Sequence, residues 1–353
     1  MRILVTGATG LIGCHAVSEL LDAGHRLRVF VREPAKVDRV LAPFGRRAAD
    51  VEVATGEITD ASSVDAALAD CEALLHCAGL FSPKLADGDL LERVNLEGTR
   101  VVVESAISHC LEQIVFVSSM LVLLPAKGKG RRVTAEDDVA WPRSMYASTK
   151  ARAERLVREL QERGAPITIV YPAACQGPDD PTLSTGPQLV VNAVRDGQAL
   201  VTEGGLAYTD VRDLAALLSA VFAGKTSARR LMAPSFFLTH ERYHALLSEL
   251  TGRELRAKRI PGWLMRGVGR LGDLSQRFGR QALLTSEAAS VLTRSVPVDD
   301  REARKCLGRE PITAEASFRD LLDWLGRAGH LESERLGHLA EAAADELSRG
   351  EWV

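Results

Sequence analysis

The first residues of the chain form the pattern that most restricts its fold. Residues 2–6 are a short apolar run suited to a buried parallel strand, and glycines follow at Gly7, Gly10 and Gly13. Residues 11–21 then show helical periodicity. Glycines allow a tight turn and close approach of the backbone, and amides at a helix start face an anionic pyrophosphate. The pattern predicts a dinucleotide-binding unit, although the glycines are spaced three and three rather than the commoner two and three. A plain turn without a ligand is the alternative.

The rest of the chain alternates predicted strands with predicted helices. Further strands are expected over residues 26–31, 51–55, 73–77, 114–117 and 167–171. Helices are expected around residues 12–23, 62–69, 90–109 and 144–163, whereas 33–47 is less clear. This alternation predicts an α/β fold, a Rossmann-type doubly wound parallel sheet. Ligands of such sheets bind at the carboxyl ends of the strands, where the strand order reverses.

Tyr146 and Lys150 lie four residues apart in a predicted helix, so their side chains share one face. Free tyrosine and lysine titrate near ~10 and ~10.4, so neither is suited to acid–base work at neutral pH. A neighbouring cation lowers the pKa of a tyrosine. Tyr146 could then exchange a proton with a carbonyl or carbinol oxygen. A solvated helix face that carries both residues by chance is the alternative.

Small and polar residues follow the fourth and fifth predicted strands. Ser119 places a hydroxyl at the edge of the sheet, although serines after strands are often loop caps. Asn95 could orient Lys150 through water or backbone, with helix initiation as the competing account. Three small residues after the fourth strand would let the backbone pass close to a cofactor, and a buried turn explains them nearly as well: Cys77, Ala78 and Gly79.

Composition and charge exclude several classes of protein. The 353 residues, 46% apolar and 26% charged, suit one large α/β domain with a smaller appendage. A net charge of −3 argues against a nucleic-acid partner. The chain lacks a long apolar run and begins directly with its first strand, so we expect neither a membrane span nor a signal peptide. The six cysteines lack metal-site spacing, so we expect no metal and a cytoplasmic location with reduced thiols.

Together these motifs resemble those of the extended short-chain dehydrogenase/reductase family, which includes NAD-dependent epimerases, dehydratases and dihydroflavonol-reductase-like enzymes. The resemblance covers about the first half of the chain and extends towards residue 215. The segments that carry it are residues 6–13, 56–60, 76–79, 95–99, 117–119, 146–150, 171–178 and 208–213.

The resemblance implies roles for individual residues. Ser119 matches the substrate-orienting hydroxyl, Tyr146 the acid–base, and Lys150 the residue that binds nicotinamide ribose and lowers the tyrosine pKa. Glu57 and Ile58 match positions that usually meet the adenine, although aspartate is commoner than Glu57. Family members commonly dimerise through the helices near 90–109 and 144–163, which implies a homodimer. The expected cofactor site comprises Gly7, Thr9, Gly10, Leu11, Ile12, Gly13, Arg32, Glu57, Ile58, Cys77, Ala78, Gly79, Lys150, Tyr171 and Pro172.

The end of the second predicted strand bears on the choice of cofactor. An acidic side chain there would hold the ribose 2′-hydroxyl of NAD(H), whereas an arginine accommodates the 2′-phosphate of NADP(H). Arg32 stands at this place, so NADP(H) is favoured, and Lys36 could assist or be a solvated loop residue. The neighbouring acidic residue, Glu33, leaves NAD(H) as an alternative.

Departures from the family pattern bear on the reaction. Met120 and Leu121 replace the Asp-Glu pair of sugar-nucleotide dehydratases, so dehydration is not expected. Ala174 stands where members that bind nucleoside diphosphates often carry asparagine. Tyr171 and Gln176 likewise replace an arginine and a tyrosine of the family pattern. A sugar-nucleotide substrate therefore loses support. The apolar run 120–125 suits a hydrophobic substrate or, equally, core under a loop.

The preferred function is therefore that of an NAD(P)-dependent oxidoreductase. It would reduce a ketone or aldehyde of a fairly apolar small molecule to an alcohol, or run the reverse reaction. Two alternatives stay open: a sugar-nucleotide epimerase with tightly bound NAD, and a non-catalytic dinucleotide-sensing protein.

The C-terminal third of the sequence has weaker patterns. Residues 1–173 are expected to form the dinucleotide-binding domain, to which 206–235 return with a strand near 229–233. A substrate-binding lobe is expected from 174–205 and 236–330, and a surface helix from 331–353. The glycine-containing segment 260–278 mixes apolar residues with arginines and could be an interfacial amphipathic helix, but packing on its own domain is favoured and membrane contact is not expected.

Overall fold

A computed structural model describes residues 1–82, 87–124, 131–142, 144–277 and 285–337 of the protein. Its strands are β1 Arg2–Thr6, β2 Arg26–Val31, β3 Glu52–Thr55, β4 Ala73–His76, β5 Gln113–Val117, β6 Ile167–Tyr171, β7 Ala174–Gln176, β8 Gln198–Val201, β9 Gly205–Asp210, β10 Arg230–Met232, β11 Phe236–Thr239 and β12 Arg256–Arg259.

Helices alternate with the strands. They are α1 Leu11–Asp22, α2 Lys36–Leu41, α3 Ala61–Leu68, α4 Gly88–Leu91, α5 Thr99–Ser108, α6 Met145–Glu162, α7 Thr185–Asp196, α8 Val211–Phe222, α9 His240–Thr251, α10 Gly262–Arg277, α11 Ser286–Leu292, α12 Arg301–Leu307, α13 Ala314–Arg327 and α14 Ser333–Leu336.

Seven strands form one sheet in the order β10-β6-β5-β4-β1-β2-β3, and every neighbouring pair is parallel. The chain builds outward from β1 to β3 and then crosses back to β4, so the strand order reverses between β1 and β4. The predicted doubly wound parallel sheet is confirmed. Its crevice lies at the carboxyl ends of β1 and β4, where Thr6 pairs in register with His76.

Both faces of the sheet are covered by helices because successive side chains of a strand point to opposite faces. Ile3 and Val5 of β1 belong to a core with α1, α2, α8 and α12. Leu4, between them, belongs to a second core with α3, α5 and α6. The second core also contains Tyr171 at the end of β6.

The lobe has a third core, formed by α7, α9, α13, β9 and β11 around Phe318. β9 pairs with β7 and β11 rather than with the large sheet, whereas α8 and β10 return to the large sheet. Helix α12, in the segment expected for the lobe, packs with α8 through Ala303 and Cys306. The boundary between the two units stays a prediction.

Several predicted helices differ in detail. Within 33–47 the chain forms only the short α2 and a single 3-10 turn, Ala42–Phe44. The predicted helix over 90–109 is divided, because a π-helical segment, Glu92–Gly98, separates α4 from α5. The predicted tail helix falls largely on residues 338–353, which lie outside the described residues.

Candidate active site

The glycine turn after β1 is closely packed at two positions and open at the third. Gly7 has a φ of +75°, and a Cβ there would lie 2.7 Å from the Ala78 amide nitrogen. A Cβ on Gly13 would lie 2.1 Å from the Gly7 carbonyl oxygen, so both positions require glycine. A Cβ on Gly10 would meet only the Gly7 carbonyl oxygen, at 3.5 Å. Gly10 is the N-cap of α1, and no side-chain hydrogen bond caps the first amides of this helix.

These features fit the phosphates of a dinucleotide, which need close backbone approach and helix-start amides. The neighbouring expected residues lie along the same turn: Thr9 and Ile12 are partly buried, and Leu11 is buried. Ala78 is tied to the first strand by the hydrogen bond that its amide donates to Thr6 Oγ1, at 3.3 Å.

The residues expected to meet the adenosine lie at the neighbouring strand ends. Arg32 is exposed directly after β2, and the described residues provide it with no ion pair or hydrogen bond. Lys36 is paired with Glu33 at 2.5 Å, which lowers the pKa of that exposed carboxyl. Glu57 is exposed, and Ile58 is partly buried beneath the π segment, where Gly98 leaves room for its side chain.

His76 connects three elements beneath the crevice. Its ring nitrogens hydrogen-bond to Thr6 Oγ1 at 2.7 Å and to Thr99 Oγ1 at 3.1 Å. Burial, and secondarily the charge of Lys150, lower the pKa of His76 to about 3. A neutral imidazole held between two hydroxyls is a structural link between β1, β4 and α5. The neighbouring Cys77 thiol has its pKa raised to about 12 by burial, so it is not a thiolate.

Asn95 lies in the π segment and is fully buried. Its Oδ1 accepts a hydrogen bond from the Leu80 amide at 2.8 Å, and its Nδ2 donates to the Leu80 carbonyl at 2.9 Å. Nδ2 also donates to Thr149 Oγ1 at 3.2 Å. Asn95 thus clamps the chain after β4 to α6, next to Lys150. Asn95 therefore lies within a helical segment rather than at a helix start, and π turns often occur at functional sites. That it orients Lys150 through water or backbone stays a prediction.

Lys150 projects from α6 towards the carboxyl end of β5. Its Nζ donates to the Val117 carbonyl at 3.3 Å and lies 5.1 Å from the centre of the Phe116 ring. A Cβ on the exposed Gly79 would lie 3.9 Å from Nζ, so the small residues after β4 leave the ammonium room on the crevice side. Burial lowers the pKa of Lys150 to about 8, while the Glu154 charge opposes that shift.

Tyr146 lies one turn before Lys150, and its hydroxyl is hydrogen-bonded to the side chain of Ser119. Ser119 also accepts from the Leu121 amide at 3.3 Å and so caps the short 3-10 helix Met120–Leu123. Burial raises the pKa of Tyr146 to about 12, and the Ser119 hydrogen bond only partly offsets this. The structure therefore differs from the expectation of a lowered pKa, because in the protein itself desolvation of the phenol dominates.

The apolar run after Ser119 is mostly core. Met120, Val122 and Leu123 are buried in the second hydrophobic core, and residue 125 lies outside the described residues. The exposed apolar surface near Tyr146 comes instead from Phe81, whose ring packs edge-on against the tyrosine ring with centroids 4.7 Å apart. Met145, beside it in sequence, is 39% exposed.

Tyr171 and Pro172, expected at the cofactor site, both make hydrogen bonds within the framework of the fold, and their contact with a cofactor stays a prediction. The fully buried Tyr171 hydroxyl donates to Glu154 Oε1 at 2.5 Å and accepts from Arg158 Nη2 at 2.9 Å, so this side chain points into the core rather than towards the cofactor site. The Pro172 carbonyl accepts from the Met120 amide at 2.9 Å.

Glu154 was missed by sequence reasoning. It is fully buried on α6, four residues after Lys150 and four residues before Arg158. Arg158 Nε donates to its Oε1 at 2.8 Å, while its Oε2 has no hydrogen-bond partner among the described atoms. Charges repeated every four residues along the buried side of α6 were the available signal.

Comparisons with known proteins agree with this geometry. The profile of the NAD dependent epimerase/dehydratase family matches residues 3–230, well over half of the chain. The chain belongs to this family. The expected family resemblance is thereby confirmed, as is the relation to nicotinamide-dependent enzymes.

Two relatives and one solved structure illustrate the likeness. Sterol demethylase protein B of Methylococcus capsulatus is 29% identical over 334 residues, which are 93% of this chain and 99% of that protein. A 4-hydroxy-2-methyl-3-oxo-4-farnesyl-3,4-dihydroquinoline-1-oxide ketoreductase of Stigmatella aurantiaca is 27% identical over 342 residues, 93% of this chain and 98% of that protein. The structure of UDP-glucose 4-epimerase of Bifidobacterium longum was solved with NAD+ and UDP. Its superposition covers 94% of this chain and 99% of the epimerase chain, with a TM-score of 0.72. At 18% identity it shows the fold alone.

Proposed function

We propose that this family member is a nicotinamide-dependent reductase that interconverts a carbonyl and an alcohol on a fairly apolar small molecule. The observation that carries the proposal is the hydrogen bond between the Ser119 and Tyr146 hydroxyls. Tyr146 lies one helical turn before Lys150 and packs edge-on against the exposed ring of Phe81. The pair provides a proton donor and a second hydrogen bond for one substrate oxygen.

When bound, the nicotinamide cofactor supplies or accepts the hydride. The glycine turn with Gly7, Gly10 and Gly13 would hold its pyrophosphate, and Lys150 its ribose. Tyr146 donates its proton to the substrate oxygen as negative charge develops there, and Ser119 stabilises the same oxygen. A phenol with a raised pKa is protonated at neutral pH and so is in the form that carbonyl reduction needs.

The apolar character of the substrate has two supports. Phe81 and Met145 provide exposed apolar surface near Tyr146, and a ketoreductase whose name specifies a farnesylated substrate aligns along nearly the whole chain. Met120 and Leu121, at the positions of the dehydratase acid pair, provide no acid for expelling water.

The test is turnover of a panel of ketones and aldehydes, with both reduced nicotinamide cofactors, by the Tyr146→Phe variant. We expect turnover to fall by about 10²–10⁴-fold because general acid catalysis is lost, while binding of the reduced cofactor, followed by its fluorescence, stays the same. Tyr243→Phe, which alters a tyrosine in the lobe, is the matched control. Unchanged turnover in Tyr146→Phe refutes the proposal. Turnover without net change in the nicotinamide absorbance would support the epimerase instead.

NADP(H) is the cofactor that we propose, since Arg32 is exposed at the end of β2 while Glu33 is already paired with Lys36. Replacing Arg32 by serine should weaken NADPH binding by roughly 10–100-fold, because a charged hydrogen bond contributes about 1.5–3 kcal/mol. NADH binding should not change. Arg39→Ser is the control on the neighbouring helix, and equal loss of binding of both cofactors would contradict the assignment.

The homodimer and the cytoplasmic location also stay proposals.

A further inference from the structure

Within the described residues, helix α10 packs against the protein through one side. Met265 is buried, and Gly269 lies so close to α11 that a Cβ would be 2.7 Å from the Thr285 carbonyl oxygen. Asp273 accepts a hydrogen bond from the Ser286 amide at 3.1 Å. These three residues recur every four positions, so they define one packed face along the helix.

The opposite side is apolar and exposed. At about 100° per residue, five large apolar side chains fall within an arc of roughly 140°. Among the described residues, eleven large hydrophobic side chains are exposed, and five of them are on this helix, so the patch is contiguous rather than scattered. They are Trp263, at 71% exposure, and Leu264, Val268, Leu271 and Leu274.

Cations border this apolar arc. Arg266 and Arg270 are exposed on the same helix, on the Trp263 edge of the arc. The strand that precedes the helix in the chain, β12, carries three further exposed cations, Arg256, Lys258 and Arg259. Glu203 pairs with Arg266 at 3.5 Å and Glu241 with Arg259 at 3.2 Å, whereas the other three cations make no ion pair within the described part of the chain. Asp273, the one acid within 256–275, is already bonded to Ser286.

We propose that α10 lies flat on the surface of a membrane that contains anionic lipids, with its apolar arc in the interface. This reverses the expectation from the sequence, because the segment packs on its own domain through one face and leaves its apolar arc exposed. Tryptophan and leucine side chains are suited to the boundary between headgroups and acyl chains, and arginines beside them reach the lipid phosphates. The arc offers a protein partner few directional hydrogen bonds, but its apolar and cationic parts both match a lipid surface. No helix within the described residues is long and apolar enough to cross a membrane.

The experiment measures sedimentation of the full-length protein with lipid vesicles. One set of vesicles is phosphatidylcholine alone, and the other also contains anionic phosphatidylglycerol. The unaltered protein should bind the anionic vesicles, and added salt should weaken this binding. The double variant Trp263→Ser, Leu271→Ser should lower the binding constant by about tenfold or more. Arg270→Gln should lower it by about fivefold on anionic vesicles only.

The matched control is Trp141→Ser, Leu189→Ser, which removes two exposed apolar side chains from other surfaces and should leave vesicle binding unchanged. Circular dichroism checks that each variant folds. Failure of the unaltered protein to sediment with anionic vesicles overturns the proposal, as does binding that the α10 double variant retains. Self-association in vesicle-free solution that this double variant abolishes would also overturn it, since a second copy would then cover the arc.

Discussion

The strand ends of the large sheet and the core of the lobe are held together by different kinds of side chain. At the crevice and in the core behind it, buried His76, Asn95 and Glu154 each hydrogen-bond to other elements of the fold. In the lobe, Tyr208 and Phe318 pack as aromatic rings, with centroids 5.5 Å apart. Hydrogen bonds fix direction as well as distance, whereas ring packing tolerates adjustment. We therefore expect the crevice to be sensitive to chemistry and the lobe to volume.

The largest expected effect on stability tests the lobe. Phe318→Ala should lower the free energy of unfolding by about 3–5 kcal/mol, because it leaves a cavity among buried aromatic side chains. Phe318→Leu, which keeps most of the volume, should cost much less. Chemical denaturation measures both, and equal losses for the two variants would contradict sensitivity to volume.

The next largest effect tests the crevice with a substitution that changes the polarity of a side chain but little of its volume. Asn95→Leu should lower the free energy of unfolding by about 2–4 kcal/mol, because it leaves the Leu80 amide and carbonyl without their partner. It should also reduce turnover more than Phe318→Leu does. Asn192→Leu, on the exposed side of α7, is the control and should change stability by about 0.5 kcal/mol or less. A stable, fully active Asn95→Leu protein would remove the distinction between the two regions.

The smallest expected effect concerns charge alone. The Glu154 charge raises the pKa of Lys150, which burial holds near about 8. Glu154→Gln should therefore let Lys150 lose its proton at lower pH, and the alkaline fall in turnover should move down by roughly half to one pH unit. Glu159→Gln, exposed on the same helix, is the control. Identical pH profiles for Glu154→Gln and the unaltered protein would show that Glu154 does not act through Lys150.

The pH dependence of folding stability distinguishes a loss of turnover caused by Lys150 deprotonation from a loss caused by unfolding. In the unfolded chain Lys150 keeps its proton up to its ordinary pKa of 10.5, but in the folded protein only up to about 8. The unfolded state therefore binds more protons between these values, and the Lys150 contribution to stability increases with pH in that window. A loss of turnover above pH 8 would then not reflect unfolding at this residue. Thermal unfolding over the same pH range measures the difference.

The sequence predicted the large sheet because its central strands, β1, β4, β5 and β6, are short runs that are mostly apolar and buried. The glycines at 7 and 13, and the spacing of Tyr146 and Lys150, are local signals, and the structure brings these residues to the same edge of the sheet. The roles assigned to them stay predictions until the variants are measured.

Other features depend on contacts between distant residues and left little local signal. The π segment looks like ordinary helix in sequence, since its form depends on Asn95 reaching Leu80 and on Gly98 fitting against Ile58. The inward orientation of Tyr171 depends on Glu154, which comes from another element. The pairing of β9 with β7 also follows from the packing of the lobe rather than from either strand's composition.

The π segment, Glu92–Gly98, also limits how this chain can vary in length. It contains one wider turn, and from it Asn95 reaches Leu80 on one side while its carbonyl accepts a hydrogen bond from Thr99, whose hydroxyl also bonds His76. Deleting one residue would tighten the turn and rotate one of these anchors away from its partner. We therefore expect exchanges at Arg93, its exposed position, to be tolerated, and insertions or deletions to disturb the fold.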